Sequence, residues 1–222
     1  MNVFDIIGPI MVGPSSSHTA GAVRIGKVAR LILEEEPVEA QILLFGSFAK
    51  TFRGHGTDRA LVAGLMGFGV DDARIKNSLD TAEQRGIKLN FETADLDQIH
   101  SNTVCIRVRG RSGKAVTVKG ASIGGGNILI TGIDEISVEF SGQYYTLVVV
   151  HKDEPGIIAA VTLILASVKI NIAFIKGYRT LKGDKAIMII EADQSIPGEI
   201  TAEIKRIHKV STAIVIEPVA GE

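Results

Sequence analysis

The sequence predicts an α+β protein with two domains: a mixed α/β domain over residues 1–142 and a βαββαβ domain over residues 143–222. Two observations support this fold class. Helix-like periodicity dominates the first third of the chain and gives way to short alternating runs typical of strands. After Ser141-Gly142-Gln143 the pattern restarts, with strands and helices in the order βαββαβ. A chain of 222 residues is long enough for two small domains.

The first domain begins with predicted helices. Residues 19–36 place apolar side chains at helical spacing, with Ser17 or Thr19 as a candidate N-cap. The apolar face consists of Ala22, Ile25, Gly26, Ala29, Ile32 and Leu33, and the opposite face of Arg24, Lys27 and Glu34. A strand is predicted over residues 38–48, a second helix over residues 51–66 and a third over residues 71–85, ended by Gly86.

Short strands follow the third helix. The runs IKLNFET, NTVCIRVRG, KAVTVKGASI, NILITGID and EISVEF alternate in polarity or are rich in β-branched residues. Gly124-Gly125-Gly126-Asn127 predicts a hairpin turn or, through its backbone N–H groups, an anion site, and it lacks the strand–helix context of a nucleotide site.

The second domain is predicted from four strands, two helices and two turns. YYTLVVVH, NIAFIKGYRT, KAIMIIEAD and TAIVIEP read as strands, whereas IIAAVTLILASV and PGEITAEIKRIHKV read as helices; KDEPG and LKGD are turns. The first of these helices is expected to bury one face made of Ile157, Ile158, Val161, Ile164, Leu165 and Val168.

Composition excludes several classes of protein. Lys and Arg number 24 against 25 Asp and Glu, so there is no electrostatic footprint for nucleic acid or an anionic membrane. No apolar stretch reaches the ~18–20 residues that span a bilayer, and the first ten residues lack the basic charge of a secretory signal, so we expect a cytoplasmic protein. Cys105, the single cysteine, is expected to be a small core residue; alone it cannot hold an iron–sulfur cluster.

Two polar motifs carry the candidate chemistry. In VGPSSSHTAG, the side chains of Ser15, Ser16, Ser17, His18 and Thr19 are either a loop with a helix cap or a pocket for a small anionic molecule. In FRGHGTDRA, His55 lies between two glycines, and Asp58 is expected to orient its imidazole. Both histidines are predicted at helix starts.

The other three histidines are expected to have lesser roles. His100 and His208 are predicted on the surface. His151 ends a strand, where it either flanks a ligand loop or faces solvent.

The start of the second domain provides another candidate site. Asp153, Pro155, Gly156 and Ile157 lie between its first strand and first helix, and the amide of Asn171 opens the next strand. This pattern resembles an ACT domain, a ferredoxin-like regulatory module that often binds amino acids between paired copies. The resemblance implies self-association, with an amino-acid site at these residues or with dimerisation alone.

Taken together, SSSHT and GHGTD resemble the β portion of the iron–sulfur-dependent L-serine dehydratases. The first domain is also similar to the extra substrate-binding domain of some 3-phosphoglycerate dehydrogenases. The order of the two domains is like that of the separate β chain of the two-chain dehydratase.

This resemblance implies deamination of L-serine to pyruvate and ammonia, in amino acid degradation and gluconeogenesis. It implies that His55 is the base, that His18 assists, and that Ser15, Ser16, Ser17 and Thr19 contact the substrate. A [4Fe–4S] cluster that binds the leaving hydroxyl is expected on an α chain, with no metal on this chain. The alternative is a non-catalytic subunit that senses serine or a related acid.

Overall fold

A computed structural model describes residues 12–95 and 100–218. These residues form two compact units, the first ending at Asp134 and the second beginning at Glu135. The predicted domain boundary, between residues 142 and 143, lies one strand later. Within the described ranges, no helix is long and apolar enough to cross a membrane. The α+β class is confirmed.

The first unit contains a sheet with the strand order β2-β1-β3-β4-β5. The strands are β1 (Pro37–Phe45), β2 (Lys88–Ala94), β3 (Thr103–Gly110), β4 (Ala115–Gly124) and β5 (Asn127–Ile133). β2 is parallel to β1, and the other neighbours are antiparallel. The predicted glycine-rich turn joins β4 to β5, so the hairpin is confirmed.

The helices of this unit are α1 (Ala22–Leu33), α2 (Gly46–His55), α3 (Thr57–Leu65) and α4 (Ser78–Gln84). α1 packs on the sheet and also crosses α3 at two glycines. A Cβ on Gly64 would lie 2.0 Å from the carbonyl oxygen of Val23, and one on Gly26 would lie 2.3 Å from that of Leu61. The two backbones therefore touch, and this contact fixes the first turn of α1 relative to α3.

The start of the first helix differs from the prediction. A π-helical turn at Ser17–Gly21 precedes α1, and neither Ser17 nor Thr19 caps it. The Oγ of Ser15 instead accepts the backbone N–H of His18 at 3.3 Å. Arg24, predicted on the polar face, is 3% exposed and donates to the carbonyl oxygen of Gly126. That prediction was wrong because β4 and β5 cover this face of α1.

The second predicted helix is two helices. α2 begins at Gly46, and Gly56, with a φ of 71°, separates it from α3. The left-handed backbone at Gly56 cannot continue a right-handed helix, so the chain turns there. The third predicted helix is a 3₁₀ turn at Ala73–Asn77 followed by α4, and Gly86 follows its end with a φ of 72°.

The second unit follows the predicted order. Its elements are β6 (Ile136–Phe140), β7 (Tyr145–Lys152), α5 (Ile157–Ser167), β8 (Ile172–Arg179), β9 (Lys185–Ala192), α6 (Gly198–Lys205) and β10 (Val210–Ile216). The antiparallel strand order β10-β7-β9-β8 confirms the split βαβ arrangement. α5 buries Ile157, Val161 and Leu165, but Ile158 and Val168 are exposed, so the predicted apolar face was too wide.

Candidate functional site

The candidate site of the first unit contains two histidines, and His18 is the buried one. It lies in the π-helical turn and is 9% exposed. Its Nδ1 is 3.3 Å from the Oγ of Ser15, and its Nε2 is 3.3 Å from the Oγ of Ser47. Both ring nitrogens therefore have hydroxyl partners, which hold the imidazole in one orientation.

The structure brings His18 and His55 together. Their ring centroids are 4.7 Å apart, and the ring planes are almost perpendicular, at 89°. Burial lowers the pKa of His18, and the charge of His55 lowers it further. His18 is therefore neutral at neutral pH, whereas the neighbouring His55 is exposed and accessible to a ligand.

His55 is the last residue of α2, so the prediction that it begins a helix was wrong. It lines a cavity of about 320 Å³ at the junction of α2 and α3. The other lining residues are Val12, Gly13, Pro14, Thr19, Arg53, Gly54, Gly56, Arg59, Ile75 and Lys76. The cavity is wide enough for a small molecule, and its charged lining residues are all basic.

Asp58 does not contact His55 by a hydrogen bond. Its carboxylate accepts the backbone N–H of Arg59 at 2.8 Å, in the first turn of α3. Burial raises the pKa of this carboxyl, although the bond to Arg59 and the charges of Arg59 and Arg53 act in the opposite direction. The predicted orienting role thus has no direct contact through which to act.

The polar run is only partly at the cavity. Thr19 lines it, is 2% exposed, and has a hydroxyl without a hydrogen-bond partner among the described residues. Ser16 and Ser17 are half-buried, and Ser15 contacts His18. These three serines do not line the cavity, so their predicted contact with substrate remains a prediction.

Four residues of the site were missed by sequence analysis: Ser47, Arg53, Arg59 and Lys76. The two arginines flank His55 within FRGHGTDRA, and their closeness in sequence could have indicated that they belong to the same site. Nothing in the sequence near Ser47 indicated its contact, because the residue was assigned to a strand and instead begins α2.

The other histidines lie elsewhere. His100 and His208 are exposed, as predicted. His151 is 6% exposed, and its Nδ1 donates to the carbonyl oxygen of Lys152 at 2.7 Å. It therefore does not face solvent, and this hydrogen bond fixes its ring orientation.

The residues of this chain do not fit an iron–sulfur cluster. Such clusters are usually held by four cysteines, and this chain has one, Cys105. Burial raises the pKa of its thiol, which disfavours the thiolate that binds iron. Among the described residues, no group of three His, Cys, Asp or Glu side chains could hold a metal ion.

The candidate site of the second unit lies at the start of α5. Gly156 has a φ of 93°, and a Cβ there would have no atom within 4 Å, so the space above the helix start is open. Asn171, just before β8, is exposed. The carboxylate of Asp153 accepts bonds from Arg179, at 2.6 Å, and from the backbone N–H of Gly183, at 3.0 Å. Asp153 therefore fastens the β8–β9 turn, a role that the sequence did not predict.

Comparisons with known proteins agree with this two-unit organisation. The family model for the serine dehydratase beta chain matches residues 2–132, and that for the ACT domain matches residues 145–209.

Relatives resemble the chain over most of its length. A "Probable L-serine dehydratase, beta chain" from Bacillus subtilis is 43% identical over 94% of both chains. An "L-serine dehydratase, beta chain" from Peptoniphilus asaccharolyticus is 39% identical over 97% of this chain and 98% of its own. A D-3-phosphoglycerate dehydrogenase from Synechocystis is 30% identical over 64% of this chain and 25% of its own. The chain belongs to the serine dehydratase beta-chain family and carries an ACT domain.

Proposed function

We propose that this chain is the β subunit of a two-chain L-serine dehydratase, which deaminates L-serine to pyruvate and ammonia. The observation that carries the proposal is the histidine pair: an exposed His55 on the wall of a cation-lined cavity, with a buried His18 against its ring. Membership in the beta-chain family supports the choice of substrate and reaction.

In this proposal His55 is the general base. One of its ring nitrogens accepts the α-proton of L-serine, a role for which imidazole is the commonest side chain. Its exposure leaves room for substrate at the cavity wall. His18 favours this transfer because it is neutral, so it adds no positive charge that would oppose protonation of His55.

His18 is a positioning residue in the same scheme. Ser15 and Ser47 hold its two ring nitrogens, and its ring contacts both His55 and Phe48. A ring fixed on both sides limits how far His55 can turn away from the cavity. Loss of such a positioning contact is expected to cost less than loss of the base itself.

The partner in the proposal is an α chain that carries the [4Fe–4S] cluster. The single, half-buried cysteine of this chain is the reason to assign the cluster elsewhere. The "beta chain" names of the two relatives agree with a heterodimer. The chain alone is then expected to be inactive, and a cytoplasmic location follows from the same assignment.

The second unit is proposed to pair two chains and to hold an amino acid near Gly156 and Asn171. The open space at the start of α5 supports this, because helix N-termini attract carboxylates. Asp153 has a supporting role, since Arg179 and Gly183 already bind its carboxylate.

The test is to express the chain with and without a cysteine-bearing α-chain candidate under anaerobic conditions and to assay pyruvate from L-serine. Pyruvate is expected only from the two chains together. If the pair assembles with a full cluster and binds L-serine without forming pyruvate, the sensing alternative replaces the proposal. Pyruvate formation by this chain alone would contradict the two-chain arrangement.

A further inference from the structure

The cavity beside His55 has an unbalanced charge. Arg53, Arg59 and Lys76 line it together with His55, and its described lining contains no Asp or Glu. Asp58 is buried, does not line the cavity, and accepts the backbone N–H of Arg59. Three cations that line one small cavity favour an anionic ligand, which would offset their mutual repulsion.

The break at Gly56 produces this cluster. In a continuous helix, two residues six positions apart lie about 120° apart around the axis, so Arg53 and Arg59 would project from different faces. Because Gly56 separates α2 from α3, the last turn of one helix and the first turn of the next both line the cavity. His55 lies between the two arginines in sequence and on the same wall.

A second, independent feature also favours an anion. Thr19 is 2% exposed, lines the cavity, and has a hydroxyl that lacks a hydrogen-bond partner among the described residues. Leaving a buried hydroxyl without a hydrogen bond is costly, and a ligand oxygen that accepts a hydrogen bond from it would remove that cost. Cations at the wall and a free hydroxyl donor suit a carboxylate, for which guanidinium groups are especially well shaped.

We infer that Arg53, Arg59 and Lys76 form the subsite that binds the carboxylate of the substrate and so directs its α-carbon toward His55. This inference rests on the proposed function and deepens it. It moves the carboxylate from the serine run, which does not line the cavity, to the cations that do. L-serine has a carboxylate one bond from the carbon that loses its proton, so binding that group beside His55 places the proton within its reach.

The first experiment measures binding by the full chain without a partner. The arginine Nε–H signals are followed by NMR during titration with L-serine, L-serinamide or sodium phosphate at constant ionic strength. L-serine is expected to shift the signals of Arg53 and Arg59, and L-serinamide, which has no carboxylate, is not. Equal shifts by both compounds would overturn the inference. Saturable binding of phosphate that L-serine cannot displace would identify an inorganic-anion site and would also overturn it.

Variants in the same titration distinguish binding at this subsite from a general effect of positive charge on the chain. Arg53→Gln and Arg59→Gln should each weaken L-serine binding by about ten- to a hundredfold, the usual cost of losing a hydrogen bond to a charged group. Arg53→Lys keeps the charge and should retain part of the affinity. Lys50→Gln is the control, because Lys50 is an exposed cation on α2 that does not line the cavity. An equal loss in the control would overturn the inference.

The second experiment uses the two-chain enzyme. Arg53→Gln and Arg59→Gln should raise the KM for L-serine with a smaller change in kcat, since the carboxylate is bound in both ground and transition states. A parental KM in both variants would overturn the subsite. L-serine binding by the chain without pyruvate from a fully loaded pair would instead contradict the proposed function and leave the subsite intact.

Discussion

Gly56 makes a quantitative prediction about how the site is built. Its φ of 71° lies in the left-handed region, and a Cβ added there would meet no atom within 4 Å. Gly56→Ala therefore carries no steric cost, and its whole effect is backbone strain of about 1–2 kcal/mol. For a chain of this length, that corresponds to a fall in Tm of about 2–8 °C.

Two further variants show whether a change in stability comes from the left-handed backbone at Gly56. Gly54→Ala is the matched control, because Gly54 also has open space around a Cβ but no positive φ. Alanine there should leave stability unchanged or raise it by up to about 1 kcal/mol, through its higher helix propensity. Gly56→Asn should fall between parent and Gly56→Ala, because asparagine tolerates the left-handed region better than alanine does.

The measurement is thermal and urea unfolding of the four proteins, followed by circular dichroism. Equal stability of Gly56→Ala and Gly54→Ala would refute the claim that a left-handed residue separates α2 from α3. A loss above about 4 kcal/mol in Gly56→Ala would refute the claim that the space beside Gly56 is open, since strain alone is smaller.

Two other predictions follow from the histidine pair and the ACT domain. The folded-state pKa of His18 lies below its unfolded value of about 6.5, so the folded state loses stability as pH falls below that value. Urea unfolding at pH 7.5 and 5.5 should therefore show a smaller loss of unfolding free energy in His18→Gln than in the parent. An equal loss in the two proteins would contradict the burial of a neutral ring. At the start of α5, Gly156→Ala and Gly156→Asp share the strain of a φ of 93°, but only the aspartate adds charge, so calorimetry with L-serine should lose the binding at the second unit in Gly156→Asp alone and keep the binding at the His55 cavity. Unchanged binding in Gly156→Asp would place that ligand elsewhere.

The strands could be predicted from the sequence because alternation reports burial directly. On β3, Val104, Ile106 and Val108 are fully buried and alternate with the half-buried or exposed Cys105 and Arg107. The βαββαβ order of the second unit was equally readable, since the connections at residues 153–156, 180–184 and 193–197 contain glycine, proline or aspartate.

The helices were less predictable because their faces depend on tertiary contacts. Arg24 is spaced for the polar face of α1, yet the β4–β5 hairpin covers it and its guanidinium binds a carbonyl of that turn. Ile158 is spaced for the apolar face of α5 but is 52% exposed. Periodicity shows which residues share a helix face, but it does not show how much of the helix surface a neighbouring element covers.

The site was predictable in its histidines and not in its cations. Both histidine motifs were recognised, and the structure brings His18 and His55 into ring contact. The cavity was missed because a single helix over residues 51–66 would separate Arg53 from Arg59. Only the left-handed turn at Gly56 places both on one wall, and a glycine in a helical pattern does not by itself reveal its φ.

The central claim, that His55 removes the α-proton, is tested most directly by hydrogen exchange. The reconstituted two-chain enzyme is incubated with L-serine in deuterated water, and deuterium at the α-carbon of the remaining L-serine is measured together with pyruvate. His55→Ala should reduce both rates by at least about a hundredfold, the lower range for loss of a general base. His208→Ala, an exposed histidine in the second unit, should retain the parental rates. Near-parental exchange and turnover in His55→Ala, in a complex that still contains both chains, would contradict the account and place the base on the other chain.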